Sequence, residues 1–137
     1  MNDHGMTLDP AGLARLLEIT GDDLEFVDEL VDTFFDDSQV QLAALRTAAE
    51  AADIEALIRP AHSLKSSSGN VGAVALSELC RLIEVDARAG SVTDAPGRVR
   101  AVEAEFAAAR DALLAEREVA DNGAANARMS TTPQEAD

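Results

Sequence analysis

Apolar residues recur at helical spacing along most of this chain, and that periodicity limits its possible fold more than any other feature. Over residues 24–52 they fall every three or four positions, which is the period of one face of an α-helix. The members of this face are Leu24, Val27, Leu30, Val31, Phe34, Phe35, Leu42 and Leu45. We find no convincing alternation of apolar and polar residues of the kind that marks a half-buried strand. The chain is therefore predicted to be all-α.

Capping residues mark the beginnings of the first two helices. Asp9 is a predicted N-cap and Pro10 follows it at the first helical position, so a short helix is expected to run to about Thr20. Asp22, with an acidic residue three positions later, resembles a capping box. It is predicted to open the long helix that carries the apolar face described above.

Three further helices follow from the same spacing. Asp53 is predicted to cap the third helix. The fourth helix is predicted to span 73–89 and to end at Gly90. The last helix is predicted to end near Glu118. Their predicted core positions are Ile54, Leu57, Ala61 and Leu64 in the third, Leu76, Leu79, Cys80 and Ile83 in the fourth, and Val99, Val102, Phe106, Ala109 and Leu113 in the last.

Four substantial amphipathic helices with short connections favour an antiparallel, up-down-up-down four-helix bundle, and the short N-terminal helix is predicted to cover one end. The bundle domain is assigned to residues 9–118. Residues 1–8 are expected to form a flexible N-terminus. Residues 119–137 are small and polar with little to bury, so they are predicted to form a disordered C-terminal tail.

Charge and composition exclude several classes of partner. The formal net charge is −15, and the chain has neither Tyr nor Trp. Phosphate backbones and anionic membrane surfaces would repel such a protein, and base-stacking side chains are scarce, so neither nucleic acid nor membrane is expected as a partner. No apolar run approaches the roughly 18 residues needed to span a bilayer. With one cysteine and no signal peptide, a cytoplasmic location is expected.

The segment AHSLKSSSGN, residues 61–70, holds the strongest candidate for a functional site. On an ideal helix, Arg59, His62, Lys65, Ser66 and Gly69 fall along one side, away from the predicted core. His62 is therefore expected to project outward between two cations, in an otherwise acidic protein. Such a local cationic surface suits an anionic ligand or a partner with an acidic pocket.

Other kinds of site are poorly supported. His4 and Cys80 complete no ligand set with His62, so no metal is expected, and the serines after Lys65 lack a separate base for hydrolysis. The sequence has no glycine-rich phosphate loop, which argues against autonomous ATP-dependent kinase activity. Pro60 is expected to bend the third helix just before His62.

Residues 61–90 resemble the histidine-containing phosphotransfer (HPt) domain of bacterial phosphorelays. The family pattern is a histidine, a lysine three positions on, usually a glycine next, and a glycine six positions later. Here these positions are His62, Lys65, Ser66 and Gly72, so serine replaces the commoner glycine. A more distant resemblance extends over 9–118. The resemblance to the HPt motif implies that His62 carries a phosphoryl group, that Lys65 stabilises this group, and that Gly72 belongs to the structural motif.

The resemblance also implies the partners: a response-regulator receiver domain and a sensor or hybrid histidine kinase. The receiver would supply the phosphorylated aspartate and Mg²⁺, so this chain needs no cofactor of its own. Arg59, Ser66 and Gly69, with Leu13 and Leu17 as an aliphatic rim, are the expected docking surface. The predicted function is that of a phosphoryl carrier. The alternative is a helical adaptor that binds a receiver or kinase domain without being phosphorylated.

Overall fold

The computed structural model describes residues 7–9 and 12–135, with side chains described as far as Gly123. These residues form five α-helices and one 3-10 turn and contain no strand, which confirms the all-α prediction. The helices are α1 (Gly12–Ile19), α2 (Leu24–Glu50), α3 (Ile58–Asn70), α4 (Val74–Arg88) and α5 (Ala95–Glu135), and the 3-10 turn Glu55–Leu57 leads into α3.

Helices α2 to α5 pack their apolar faces into one core. The fully or nearly buried side chains are Val27, Val31, Phe34, Leu42 and Leu45 of α2, Leu57 before α3, Ala61 and Leu64 of α3, Leu76, Cys80 and Ile83 of α4, and Val99, Val102, Phe106, Ala109 and Leu113 of α5. Nearly all of these positions were predicted from the helical period. Leu30 was also predicted on the apolar face of α2, but it is 36% exposed.

Ion pairs near both ends of α2 and α5 show that these two helices are antiparallel. Arg46, late in α2, pairs with Glu103, early in α5. Arg117, late in α5, reaches Asp28 at 3.0 Å and Asp32 at 2.7 Å, both early in α2. The two helices therefore run in opposite directions over most of the length of α2, as an up-and-down bundle requires.

Helix α1 is held against the turn between α3 and α4. The backbone N–H of Asp9 donates a hydrogen bond of 2.7 Å to the Gly72 carbonyl. Gly72 has a φ of +79°, and a Cβ at that residue would lie 3.1 Å from the Cα of Gly12. This turn needs glycine for two reasons, because the φ is left-handed and the neighbouring backbone is close.

Gly72→Ala is expected to lower the free energy of unfolding by about 2 kcal/mol, since it adds a steric contact to an unfavourable φ. Gly90→Ala is a matched control. Gly90 also has a positive φ, +95°, but nothing lies within 4 Å of its Cβ position. The control should cost about 1 kcal/mol from backbone strain alone. Urea unfolding of both variants measures the difference, and equal losses would contradict the close approach of α1.

One predicted feature near the helix starts is corrected. The N-cap of α2 is Asp23, whose carboxylate accepts a 3.0 Å hydrogen bond from the Phe26 N–H, so the cap predicted at Asp22 was one residue early. Pro60 is the third residue of α3, which continues directly from the 3-10 turn. The bend expected before His62 stays a prediction.

The predicted disordered tail is also corrected. Helix α5 does not end near Glu118 but continues to Glu135. Disorder was inferred because residues 119–137 have little to bury. However, a helix already nucleated by packing can extend further, because each additional residue adds a backbone hydrogen bond without a new nucleation cost.

Two predictions concern the chain ends and membranes. The flexible N-terminus predicted for 1–8 lies outside the described residues except for Thr7 and Leu8, and Leu8 packs against the core. Among the residues that the structure describes, no helix is long and apolar enough to cross a membrane.

Candidate functional site

Helix α3 presents His62 on the outer surface of the bundle. Its side chain is 54% exposed, whereas Ala61 and Leu64, which face inward, are fully buried. This contrast arises because neighbouring positions of a helix point in different directions, so burying one face leaves the other in solvent. The imidazole is therefore accessible to another protein.

A carboxylate from the next helix lies beside His62. Glu84 of α4 places Oε2 3.0 Å from His62 Nδ1, and its Oε1 lies 2.9 Å from Lys65 Nζ. Arg88, one turn later in α4, brings Nε and a terminal guanidinium nitrogen to 2.9 and 2.8 Å from Oε2. One carboxylate thus contacts the histidine and two cations. We call Glu84, His62, Lys65 and Arg88 the Glu84 cluster.

Glu84 is ionised at neutral pH. Its side chain is only 7% exposed, and this burial acts to raise its pKa. The Lys65 ammonium has the largest effect and acts in the opposite direction, aided by Arg88 and His62, so that the pKa of Glu84 is lowered to about 2. The nearby donors therefore outweigh desolvation, as expected where several of them surround one carboxylate.

The charge of Glu84 determines which nitrogen of His62 is available. An ionised carboxylate accepts hydrogen bonds and cannot donate them, so Nδ1 must carry the proton that it shares with Oε2. In a neutral imidazole, the other nitrogen, Nε2, then holds the free lone pair. Nδ1 and Nε2 point to opposite sides of the ring, so Nε2 faces away from α4. The site presents an oriented nitrogen nucleophile at the surface.

The other predicted site residues differ in their exposure. Arg59, Ser66 and Gly69 are exposed on α3, in line with His62. Lys65 is half-buried at 31% exposure, which reflects its contact with Glu84. The free cationic surface expected from the sequence is thus partly neutralised by an acidic residue from α4.

The predicted aliphatic rim is corrected in part. Leu13 is 6% exposed and belongs mainly to the core, so it offers little surface to a partner, although it borders a groove between α1 and α5. Leu17 is half-buried and packs against the same core. Next to α3, the accessible apolar surface is instead a groove shared by α1, α2 and α3. Its lining includes Leu16, Leu30, Phe34, Ser67 and Val71.

Sequence reasoning missed Glu84 and Arg88, although one signal was present. Glu84 follows Ile83 and lies four residues after Cys80, so it falls within the apolar stripe of α4. A carboxylate at a core position is rarely buried without a partner. That anomaly points to a paired acid, but the periodicity does not say which residues of another helix it contacts.

Comparisons with known proteins identify the class. The model of the Hpt domain family matches residues 29–112, which is more than half of the chain. The chain therefore belongs to the Hpt domain family, the histidine-containing phosphotransfer domains of phosphorelays, and the class expected from the His62 motif is confirmed.

A solved structure agrees with this assignment. The chain is similar to the crystal structure of histidine-containing phosphotransfer protein B (HptB) from Pseudomonas aeruginosa PAO1, with 38% sequence identity and a TM-score of 0.74. The alignment covers 83% of this chain and 96% of that one. A search of curated proteins gave no match.

Proposed function

We propose that His62 accepts a phosphoryl group on Nε2 from a receiver-domain aspartate, or from a sensor or hybrid histidine kinase, and passes it to a response-regulator receiver. The observation that carries this proposal is the 3.0 Å contact between His62 Nδ1 and buried Glu84, beside an exposed imidazole. It supports a fixed tautomer with Nε2 free to react.

The proposed step needs few groups from this chain. The lone pair of Nε2 attacks the phosphorus of an aspartyl phosphate, the bond between phosphorus and the carboxyl oxygen breaks, and the aspartate leaves as a carboxylate. Nδ1 keeps its proton, so the phosphorylated ring is cationic and the negative charge of Glu84 stabilises it. In the onward step the ring leaves as neutral imidazole. Mg²⁺, expected on the receiver, would neutralise charge on the transferring group.

Lys65 is proposed to stabilise the phosphoryl group from the α4 side of His62. Its ammonium lies 2.9 Å from Glu84 Oε1 but has three N–H donors and is 31% exposed. It can therefore keep its contact with Glu84 while directing another N–H outward. The carboxylate would hold the cation near the place where phosphate charge appears.

Incubation with a receiver domain carrying a radiolabelled aspartyl phosphate tests the proposal. The label is expected on this protein as an acid-labile phosphoramidate, and peptide mapping should place it in the segment containing His62. Lys65→Gln should acquire the label more slowly. An acid-stable label, or none with any receiver offered, would contradict the carrier function. Stable binding of a receiver without label transfer would instead identify the adaptor alternative.

A further inference from the structure

The Glu84 cluster occupies only one side of His62. At about 3.6 residues per turn, Lys65 lies on one flank of His62, while Arg59 and Ser66 lie on the other. The Lys65 flank faces α4, where Glu84 and Arg88 are found. The opposite flank continues to Ser67, which lines the groove shared with α2.

Arg59 and Ser66 are the polar groups that this arrangement leaves available. Both are exposed, one turn before and one turn after His62. Lys65 and Arg88 are already paired with Glu84, whereas Arg59 makes no ion pair with any residue that the structure describes. The Ser66 hydroxyl likewise has no hydrogen-bond partner among the described residues.

The orientation of the ring turns Nε2 away from α4, and these free groups are also on a side of α3 turned away from α4. Because Nδ1 points at Glu84 on α4, Nε2 faces away from α4. Arg59 and Ser66 lie on the flank of α3 that is also turned away from α4. A phosphoryl group on Nε2 would carry two negative charges at most and three acceptor oxygens. A guanidinium and a hydroxyl are suitable donors for such oxygens.

Building on the proposed function, we infer that Arg59 and Ser66 bind the phosphoryl group of phosphorylated His62, with Arg59 as its principal cation on the side away from α4. The serine that replaces the family's commoner glycine thereby gains a role, because glycine has no hydroxyl to donate. Lys65 keeps its contact with Glu84 and supports the phosphoryl group from the α4 side, and Arg88 helps Glu84 to hold the ring in position.

Phosphorylation with phosphoramidate tests this inference without any partner protein. Nε2 attacks the phosphorus of phosphoramidate, the phosphorus–nitrogen bond breaks, and ammonia leaves. The phosphoryl group is then titrated by phosphorus NMR at low ionic strength, where exposed charges are least screened. Nearby donors favour its dianionic form and so lower the titration midpoint. Docking of a receiver plays no part in this measurement.

Arg59→Ala is expected to raise the midpoint by about half a pH unit, and Ser66→Ala by a smaller amount. Ser66→Gly should match Ser66→Ala, because both lack the hydroxyl, and Arg59→Lys should retain much of the wild-type value. Arg110→Ala is the matched control: Arg110 is exposed on α5, has no ion pair among the described residues, and its loss changes the net charge equally.

Three outcomes would overturn the inference. An unchanged midpoint in Arg59→Ala would limit Arg59 to docking or solubility. An equal rise of the midpoint in Arg110→Ala would show that the net charge of the protein, and not binding by Arg59, sets the titration of the phosphoryl group. If wild-type His62 gained no phosphoryl signal from either phosphoramidate or a phosphorylated receiver, the proposed function would fail first, and this is recognisable before any variant is compared.

Discussion

His62→Gln is expected to abolish phosphoryl acceptance and leave the bundle folded. An amide nitrogen is not a useful nucleophile, because its lone pair is delocalised into the carbonyl, so no label should appear on the variant. The side chain is 54% exposed, and a glutamine amide can still donate a hydrogen bond toward Glu84. The free energy of unfolding should therefore change by less than about 1 kcal/mol. Label transfer from a phosphorylated receiver and urea unfolding measure the two effects.

His4→Gln is the matched control, since His4 is the only other histidine in the sequence. It should accept the label like the wild-type protein. Label that persists on His62→Gln but disappears from His4→Gln would mean that the wrong histidine has been assigned. If His62→Gln unfolded instead, the imidazole would have a structural role that its exposure does not suggest.

Glu84→Gln is expected to slow phosphoryl acceptance by roughly ten- to a hundredfold, because the ring loses the charged acceptor that orients it. The amide has nearly the same shape, but it can also donate, so Nδ1 is no longer required to carry the proton. A stability cost of about 1–2 kcal/mol is expected as well. It should not be larger, since Lys65 and Arg88 are accessible enough to be hydrated after the carboxylate is lost. Rates of label acceptance and urea unfolding give the two values.

The pH dependence of stability provides a separate test of Glu84. Its pKa is lowered from an ordinary 4.5 to about 2 in the folded protein, chiefly by Lys65. A depressed acid pKa means that the unfolded chain binds the proton more readily. The contribution of Glu84 is therefore fully present above about pH 4.5 and is lost as the pH falls toward about 2. The difference in stability between wild type and Glu84→Gln should shrink over that interval.

Glu78→Gln is the matched control on the same helix. Glu78 pairs with Arg81 three residues later, and both side chains are more than 40% exposed. A surface pair of this kind contributes less than about 1 kcal/mol to stability, so this variant should stay folded. Because Glu78 is not part of the Glu84 cluster, the variant should also keep its phosphoryl acceptance rate. If Glu78→Gln were as slow as Glu84→Gln, the effect would reflect the total charge of α4 and not contact with His62.

The sequence was sufficient to predict the features that the geometry of a single helix determines. Helical periodicity predicted the core positions of α3 and α5, because burial of one face requires apolar residues every three or four positions. Gly90 stands just after α4 and has the positive φ expected of a residue that ends a helix. The predicted end of the last helix near Glu118 was wrong, because burial was used as the criterion for helix formation, and α5 continues to Glu135.

The sequence by itself thus determined an all-helical bundle and a histidine on the outward side of its third helix. Both follow from which residues share a face of a single helix. Only the tertiary structure decided that Glu84 contacts His62 Nδ1 and Lys65, and that Leu13 is buried. The register between α3 and α4 is set by the packing of both helices against the rest of the core. No local pattern encodes that register, so the group that orients the histidine became visible only in the folded chain.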